Sequence, residues 1–237
     1  MINRMHIVRL AALVLLVFHT LVSAQAPASK DPHHTVAFEN AQFRVLNVNV
    51  PPKATTQEHK HELDNVTVSM MPTGADTRVQ LAGQPWGATR PRRPLGTVEI
   101  NEFASKPVTH RIENVGTTGF QLFAIENLKT SGWSTSPAVS APLTTLARES
   151  RSFRAYTVSL GKQQTSHRHA VPTVVVLMSG KVMSDGPSEK AKQNAPAAVG
   201  LKQLVVPGEW VLVPEGDTHH LISLANTDGQ VVEIEVR

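Results

Sequence analysis

The chain has 237 residues, enough for one large domain or two small ones. It has no cysteine, which excludes disulfides, thiolate metal ligands and a lipid-anchored cysteine. Of its 23 basic residues, Arg4 and Arg9 fall in an N-terminal segment that reads as cleaved, and what remains is nearly balanced by the 19 acidic residues, so nothing supports nucleic-acid binding.

Residues 1–24 have the form of a signal peptide: a basic start, an apolar run at 10–22, then small residues with cleavage after Ala24. The run is too short to span a bilayer comfortably and no second one follows, so the expectation is a periplasmic or secreted protein with no stable membrane anchor after cleavage. Residues 25–36 read as a linker that holds His33 and His34. Alternating apolar runs predict strands at 43–50, 65–70, 96–100, 173–178, 201–206, 209–213 and 230–236. "TRPRRP" at 89–94 is either a solvated proline-rich loop or an anion-attracting rim. "SPAVSAPLTTLARES" at 136–150 is the clearest break, with room for a short helix, and 131–148 is read as a second linker. Short strands with turn signals between them predict an all-β barrel or sandwich.

The chain repeats itself. "FRVLNVNV" at 43 is echoed by "FRAYTVSL" at 153, and "HKHELDNVTVSM" at 59 by "HRHAVPTVVVLM" at 167. His110 matches His219 at an offset of 109, and Gly119 matches Gly229 at 110. The expected organisation is a tandem duplication, with units at 37–130 and 149–237 that pack together.

Of the 11 histidines, seven fall in the repeated features: His59, His61, His110, His167, His169, His219 and His220. Residues i and i+2 of a strand share a face, so each HxH pair can point into a barrel, and a third histidine from a distant strand closes a facial metal site. His167, His169 and His219 form the stronger set, and His59, His61 and His110 the weaker one. The alternative is polar histidines on strand surfaces. Beside His219, His220 would face the other way; the Pro214 and Gly216 spacing selects His219, whereas the glycine offset selects His220.

These spacings resemble the cupin signature, G(x)5HxH(x)3–4E(x)6G followed by G(x)5PxG(x)2H(x)3N. The second unit carries Gly161, His167, His169, Gly180, Gly208, Pro214, Gly216 and His219, with Thr173 at the Glu position and Ser223 at the Asn position. The first unit is looser. Lys53, Asn65 and Pro72 stand at the first Gly, the Glu and the closing Gly, while His110 and Asn114 are kept.

The resemblance implies a bicupin, two tandem jelly-roll barrels of the double-stranded β-helix type. It also implies a divalent ion, for which Fe, Mn, Zn, Ni and Cu stay open, and a small-molecule ligand or substrate. A homo-oligomer is left open. Metal-binding members commonly use three histidines and a glutamate, and both units lack that glutamate. Asp64 could replace it if a bulge re-aims the strand, but Pro172 holds the equivalent place in the second unit, so no acid is expected there. Glu58 and Glu62 should be solvated. Three imidazoles alone would leave the ion's full charge in place and favour oxygenated or anionic ligands, by dioxygenase, isomerase or lyase chemistry. The alternative is a non-catalytic binding or structural module with degenerate sites. Thr173 and Asn65 are either partners of a metal-bound water or substrate, or ordinary polar strand residues. Trp86, Trp133 and Trp210 either line a pocket or, as expected here, pack in the core or between the barrels.

Overall fold

A computed structural model describes residues 25–71, 76–91, 93–185, 202–224 and 227–237. Residues 1–24, read from the sequence as a signal peptide, and Pro72 and Arg92 lie outside the described residues. After a short 3-10 turn at Ala28–Lys30, the first unit runs through β1 (His34–Glu39), β2 (Phe43–Val50), β3 (His59–His61), β4 (Asn65–Ser69), β5 (Thr77–Leu81), β6 (Val98–Asn101), β7 (Val108–Asn114) and β8 (Phe120–Asn127). The second unit contains β9 (Thr144–Glu149), β10 (Phe153–Gly161), β11 (Gln164–Arg168), β12 (Thr173–Ser179), β13 (Val182–Asp185), β14 (Lys202–Leu204), β15 (Trp210–Val213), β16 (Thr218–Ser223) and β17 (Gly229–Val236).

Each unit is two sheets facing one another. The first combines β1-β2-β8-β4-β6 with β3-β7-β5, and the second combines β9-β10-β17-β12-β15 with β11-β16-β13-β14. The strand order in the two five-stranded sheets is the same, element for element, which is the duplication made visible. Two sequence expectations change. Residues 136–150 hold no helix; Thr144–Glu149 is a strand paired with β10, so its Thr and Leu alternation outweighs the alanines beside it. In addition, β1 begins at His34, inside the stretch read as a linker.

The largest core lies between the barrels. Phe43, Val45, Val66, Val68, Phe123 and Ile125 of the first five-stranded sheet pack against Phe153, Val174, Val176, Trp210, Val232 and Ile234 of the second. Both faces of β12, β15 and β17 are therefore buried along most of their length. On β17, Val232, Ile234 and Val236 face barrel 1, so by strand alternation Val231, Glu233 and Glu235 must face the interior of barrel 2. Trp210 sits at this interface, its ring 5.9 Å from that of Phe38 and 6.2 Å from that of Phe123. Trp86 and Trp133 instead lie half-buried under arginines: Arg78 and Arg111 cover Trp86, and Arg151 covers Trp133. Gly180, at the close of the first motif, has φ +73°, and a Cβ there would stand 2.7 Å from the Asp228 carbonyl oxygen, so the turn after β12 requires glycine.

Candidate metal centres

In barrel 2, β11 pairs with β16 so that His167 lies directly opposite His219. Their Nε2 atoms are 3.2 Å apart. His169 follows on the same face, and its Nε2 is buried with no hydrogen-bond partner among the described residues. The residue that completes the group comes from β17. Glu233 reaches within 2.8 Å of His167 Nε2, 3.2 Å of His219 Nε2 and 3.5 Å of His169 Nε2. All four residues are buried, and their ligand atoms lie within 4.8 Å of one another.

A second carboxylate supports this set from behind. His169 Nδ1 lies 2.9 Å from Glu235, so that nitrogen donates and Nε2 is turned to the cluster, where it can ligate once its proton is displaced. Glu235 in turn accepts from the Tyr156 hydroxyl at 3.1 Å and lies 3.6 Å from Arg154. Two ligands at about 2.0–2.1 Å from one ion stand about 3–3.4 Å apart, which the 3.2 Å between His167 and His219 matches. The donor set, the spacing and the orphaned Nε2 all fit a divalent cation.

Barrel 1 repeats the histidines without the acid. His59 faces His110 across β3 and β7, and the Nε2 atoms of His61 and His110 are 3.2 Å apart. His59 Nδ1 donates to the Gln57 carbonyl at 2.9 Å, leaving its buried Nε2 unpartnered. The strand register explains the missing carboxylate. Tyr156 pairs with Glu233 in barrel 2, and the corresponding Leu46 pairs with Ala124 in barrel 1. Alanine at that position also leaves room. Ala124 lines a cavity of about 280 Å³ whose floor includes His61 and His110.

Neither a family model nor a curated protein matches the sequence. Solved structures do match its fold. The structure resembles AerE from Microcystis aeruginosa with a TM-score of 0.60 at 12% identity, covering 90% of this chain and 97% of that one. It resembles a cupin 2 conserved barrel domain protein from Leptotrichia buccalis with a TM-score of 0.52 at 9% identity, covering 86% and 88%. It also resembles a salicylate 1,2-dioxygenase from Pseudaminobacter salicylatoxidans with a TM-score of 0.56 at 10% identity, covering 83% and 71%. The chain has the bicupin fold.

The two centres of this bicupin differ electrostatically. Burial pushes the Glu233 carboxyl up, but the hydrogen bond with His167 and the close approach of His169 and His219 outweigh it and hold it well below the usual carboxylate range. Burial opposes charge on His169, yet Glu233 and Glu235 raise its pKa to about 9. His219 is lowered, by burial first, against the pull of Glu233. In barrel 1 burial dominates, helped by mutual repulsion among the histidines. It drives His61 down to about 2 and His110 to about 4. These are neutral imidazoles, the form that ligates a metal.

The other residues singled out in the sequence have different places. Asp64 is not at the barrel 1 histidines. It accepts from the Ala104 amide at 2.9 Å, from the Ser152 hydroxyl and from Arg151, and so ties the two barrels together. The strand assumed to continue from His61 ends there, and Asp64 lies in the short bend that leads into β4, in the other sheet. Asn114 is structural: its amide donates to the carbonyls of Val50 and Thr118, and its oxygen accepts from Gly116. Thr173 is buried with its hydroxyl donating to the Val171 carbonyl. Asn65 lines the barrel 1 cavity and accepts from Asn101 at 2.9 Å. His220 is exposed and His219 buried, because the register of β11 with β16 sets His219 opposite His167 and strand alternation turns His220 outward. Glu58 and Glu62 are exposed. From "TRPRRP", Arg90, Pro91 and Arg93 line the barrel 1 cavity, which favours the rim over the plain loop.

Sequence reasoning missed Glu233 and Glu235, and the expectation of a second unit without an acid is corrected. It also missed Asp31 and His34. Asp31 is buried between His34 Nδ1 at 3.4 Å and His59 Nδ1 at 3.3 Å, and His34 lines the cavity. The pairing of His34 with Val48 and of Thr144 with Val158 puts a threonine at the equivalent place in barrel 2.

Proposed function

We propose that this chain is an exported metal-binding bicupin with its roles divided between the barrels. Barrel 2 holds a divalent ion at His167, His169, His219 and Glu233. Barrel 1 holds a second at His59, His61 and His110 and brings a small oxygenated or anionic molecule to it. The observation that carries this reading is the convergence of three imidazoles and one carboxylate in the closed interior of barrel 2.

The division of roles rests on room. Around the barrel 2 cluster the interior is filled by Val175, Leu177, Val213 and Leu221, and the open space of about 440 Å³ beside His167 is a surface groove along residues 137–142, whereas barrel 1 keeps a more enclosed 280 Å³ cavity against His61 and His110. A bound ion there would polarise an oxygen of the ligand. Asn65 and Asn101 supply amide groups to the cavity wall, and Asp31 holds His34 and His59 from behind. Dioxygenase, isomerase and lyase reactions on such a molecule are the classes that fit. The salicylate 1,2-dioxygenase of like fold has been solved as adducts with gentisate, a small oxygenated acid, which supports that range. The ion is one of Fe, Mn, Zn, Ni or Cu, the metals that imidazole and carboxylate donors accept. The competing reading, a binding module without turnover, is favoured by one observation: among the described residues the group His59, His61 and His110 includes no carboxylate, and Asp31 groups with His34 and His59 instead.

Elemental analysis of the mature chain, purified without added metal, tests the proposal. The expected result is bound metal that falls on His167→Ala with His169→Ala, and falls further on His59→Ala with His61→Ala. Equal, negligible metal in the parent and both double variants would overturn it. Export is tested by N-terminal sequencing of the chain from the periplasm or medium, where Gln25 is expected first.

A further inference from the structure

The barrel 1 cavity has three chemically distinct zones. Its floor carries His61 and His110. Its walls are mostly apolar, made by Leu46, Val48, Ile112, Phe120 and Leu122, with Asn65 and Asn101 set among them. Its mouth carries Arg90 and Arg93 beside Leu81, which at 49% exposure is one of the few large apolar side chains left in solvent. The two arginines are not alike. Arg93 is committed to an ion pair with Glu99. Arg90 is exposed, and among the described residues its guanidinium has no ion pair or hydrogen bond, yet its backbone is fixed. The Arg90 amide donates to the Thr77 carbonyl at 2.7 Å, and the Thr77 amide donates back at 3.1 Å. A cation without a partner, on a pinned segment at the rim of an apolar cavity, is arranged to receive an anion.

We propose that this cavity binds a small organic acid with an apolar body, its carboxylate held at the mouth by Arg90 and its other end lying against the barrel 1 histidines. The planar guanidinium matches a carboxylate through two parallel hydrogen bonds, which a lysine ammonium does not reproduce. Size limits the body. An apolar cavity of about 150 Å³ takes benzene, so 280 Å³ takes one ring with substituents or a chain of similar bulk, and no more. The apolar walls select against small hydrophilic acids, because such a ligand leaves most of the wall surface uncovered. This inference deepens the reading of barrel 1 as the ligand-binding barrel and rests on it.

Calorimetric titration of the full mature chain, with metal content measured on the same preparation, tests it. The probes are benzoate and hexanoate, their amides benzamide and hexanamide, and acetate as a small acid. The two larger acids should bind at least ten-fold more tightly than their amides, and acetate should bind more weakly than hexanoate. Arg90→Gln, at an exposed position with no side-chain partner, should remove the preference for acid over amide while leaving amide binding unchanged. Arg90→Lys should keep part of it. Equal binding of acids and amides by metal-loaded protein would overturn this inference alone. So would a preference that survives Arg90→Gln and disappears on chelation, since the carboxylate would then be bound by the ion. Absence of metal from every preparation would instead overturn the functional reading beneath it.

Discussion

Replacing Glu233 with glutamine keeps the shape of the barrel 2 cluster and removes its charge. Glu233 is fully buried and contacts His167 at 2.8 Å, His219 at 3.2 Å and His169 at 3.5 Å. Two consequences follow and can be measured separately. Without metal, the substitution takes an anion away from a partly protonated histidine cluster, and removing one member of a buried ion pair costs about 3–5 kcal/mol. With metal, it removes the only anionic ligand. Loss of a mere outer-shell partner costs about 10–100-fold in affinity, so loss of a charged ligand should cost about 100-fold or more. Competition with a chelator of known affinity reads the second, and thermal melts in excess chelator read the first. Parent protein should melt higher with metal than without, and Glu233→Gln should lose most of that difference. An affinity within about three-fold of the parent would refute the reasoning; the cluster would then be an ion-pair network that needs no metal.

Glu235→Gln should weaken metal binding about 10–100-fold through the orientation of His169, without abolishing it; the same chelator competition measures it. Metal affinity in barrel 2 should rise with pH. His169, raised to about 9, is protonated in the metal-free protein at neutral pH, and the ion must displace that proton. The gain should approach about ten-fold per pH unit and level off above that pKa. Barrel 1, where His61 and His110 lie at about 2 and 4, should show no such slope above about pH 5; titrating each double-histidine variant separates the two sites. Asp64→Ala should destabilise the chain by about 1–3 kcal/mol, by stranding the Ala104 amide and the Ser152 hydroxyl, with metal content unchanged. Denaturant unfolding and elemental analysis read the two parts.

The duplication, seven of the strands and the grouping of the six central histidines were legible because period-2 alternation and HxH spacing are local signals; short strands such as β5 and β13 were not. The carboxylate was not. "QVVEIEV" reads as an ordinary half-buried strand in which polar residues face solvent. That reading fails because the apolar face of β17 lies against the other barrel, which turns Glu233 and Glu235 inward. Expecting the two units to pack together already contained this answer, once the buried outer face was assigned to Val232, Ile234 and Val236. The offset of 110 at the glycines hid it further. The register shift between Ser159 and Gly161 shortens the correspondence to 109 and sets Glu233 against Ala124. Asp31 and His34 were illegible for another reason. They precede the unit read from the sequence at 37–130, and a threonine, Thr144, stands where His34 would recur, so no repeated histidine points to them.

The central claim is that an ion sits among His167, His169, His219 and Glu233. Anomalous diffraction, from crystals of the mature chain grown without added metal and with data on both sides of the absorption edge, tests it most directly. The account predicts a peak about 2.0–2.2 Å from the three Nε2 atoms and a Glu233 oxygen. Density with no anomalous peak, and Glu233 still in direct contact with the histidines, would contradict it.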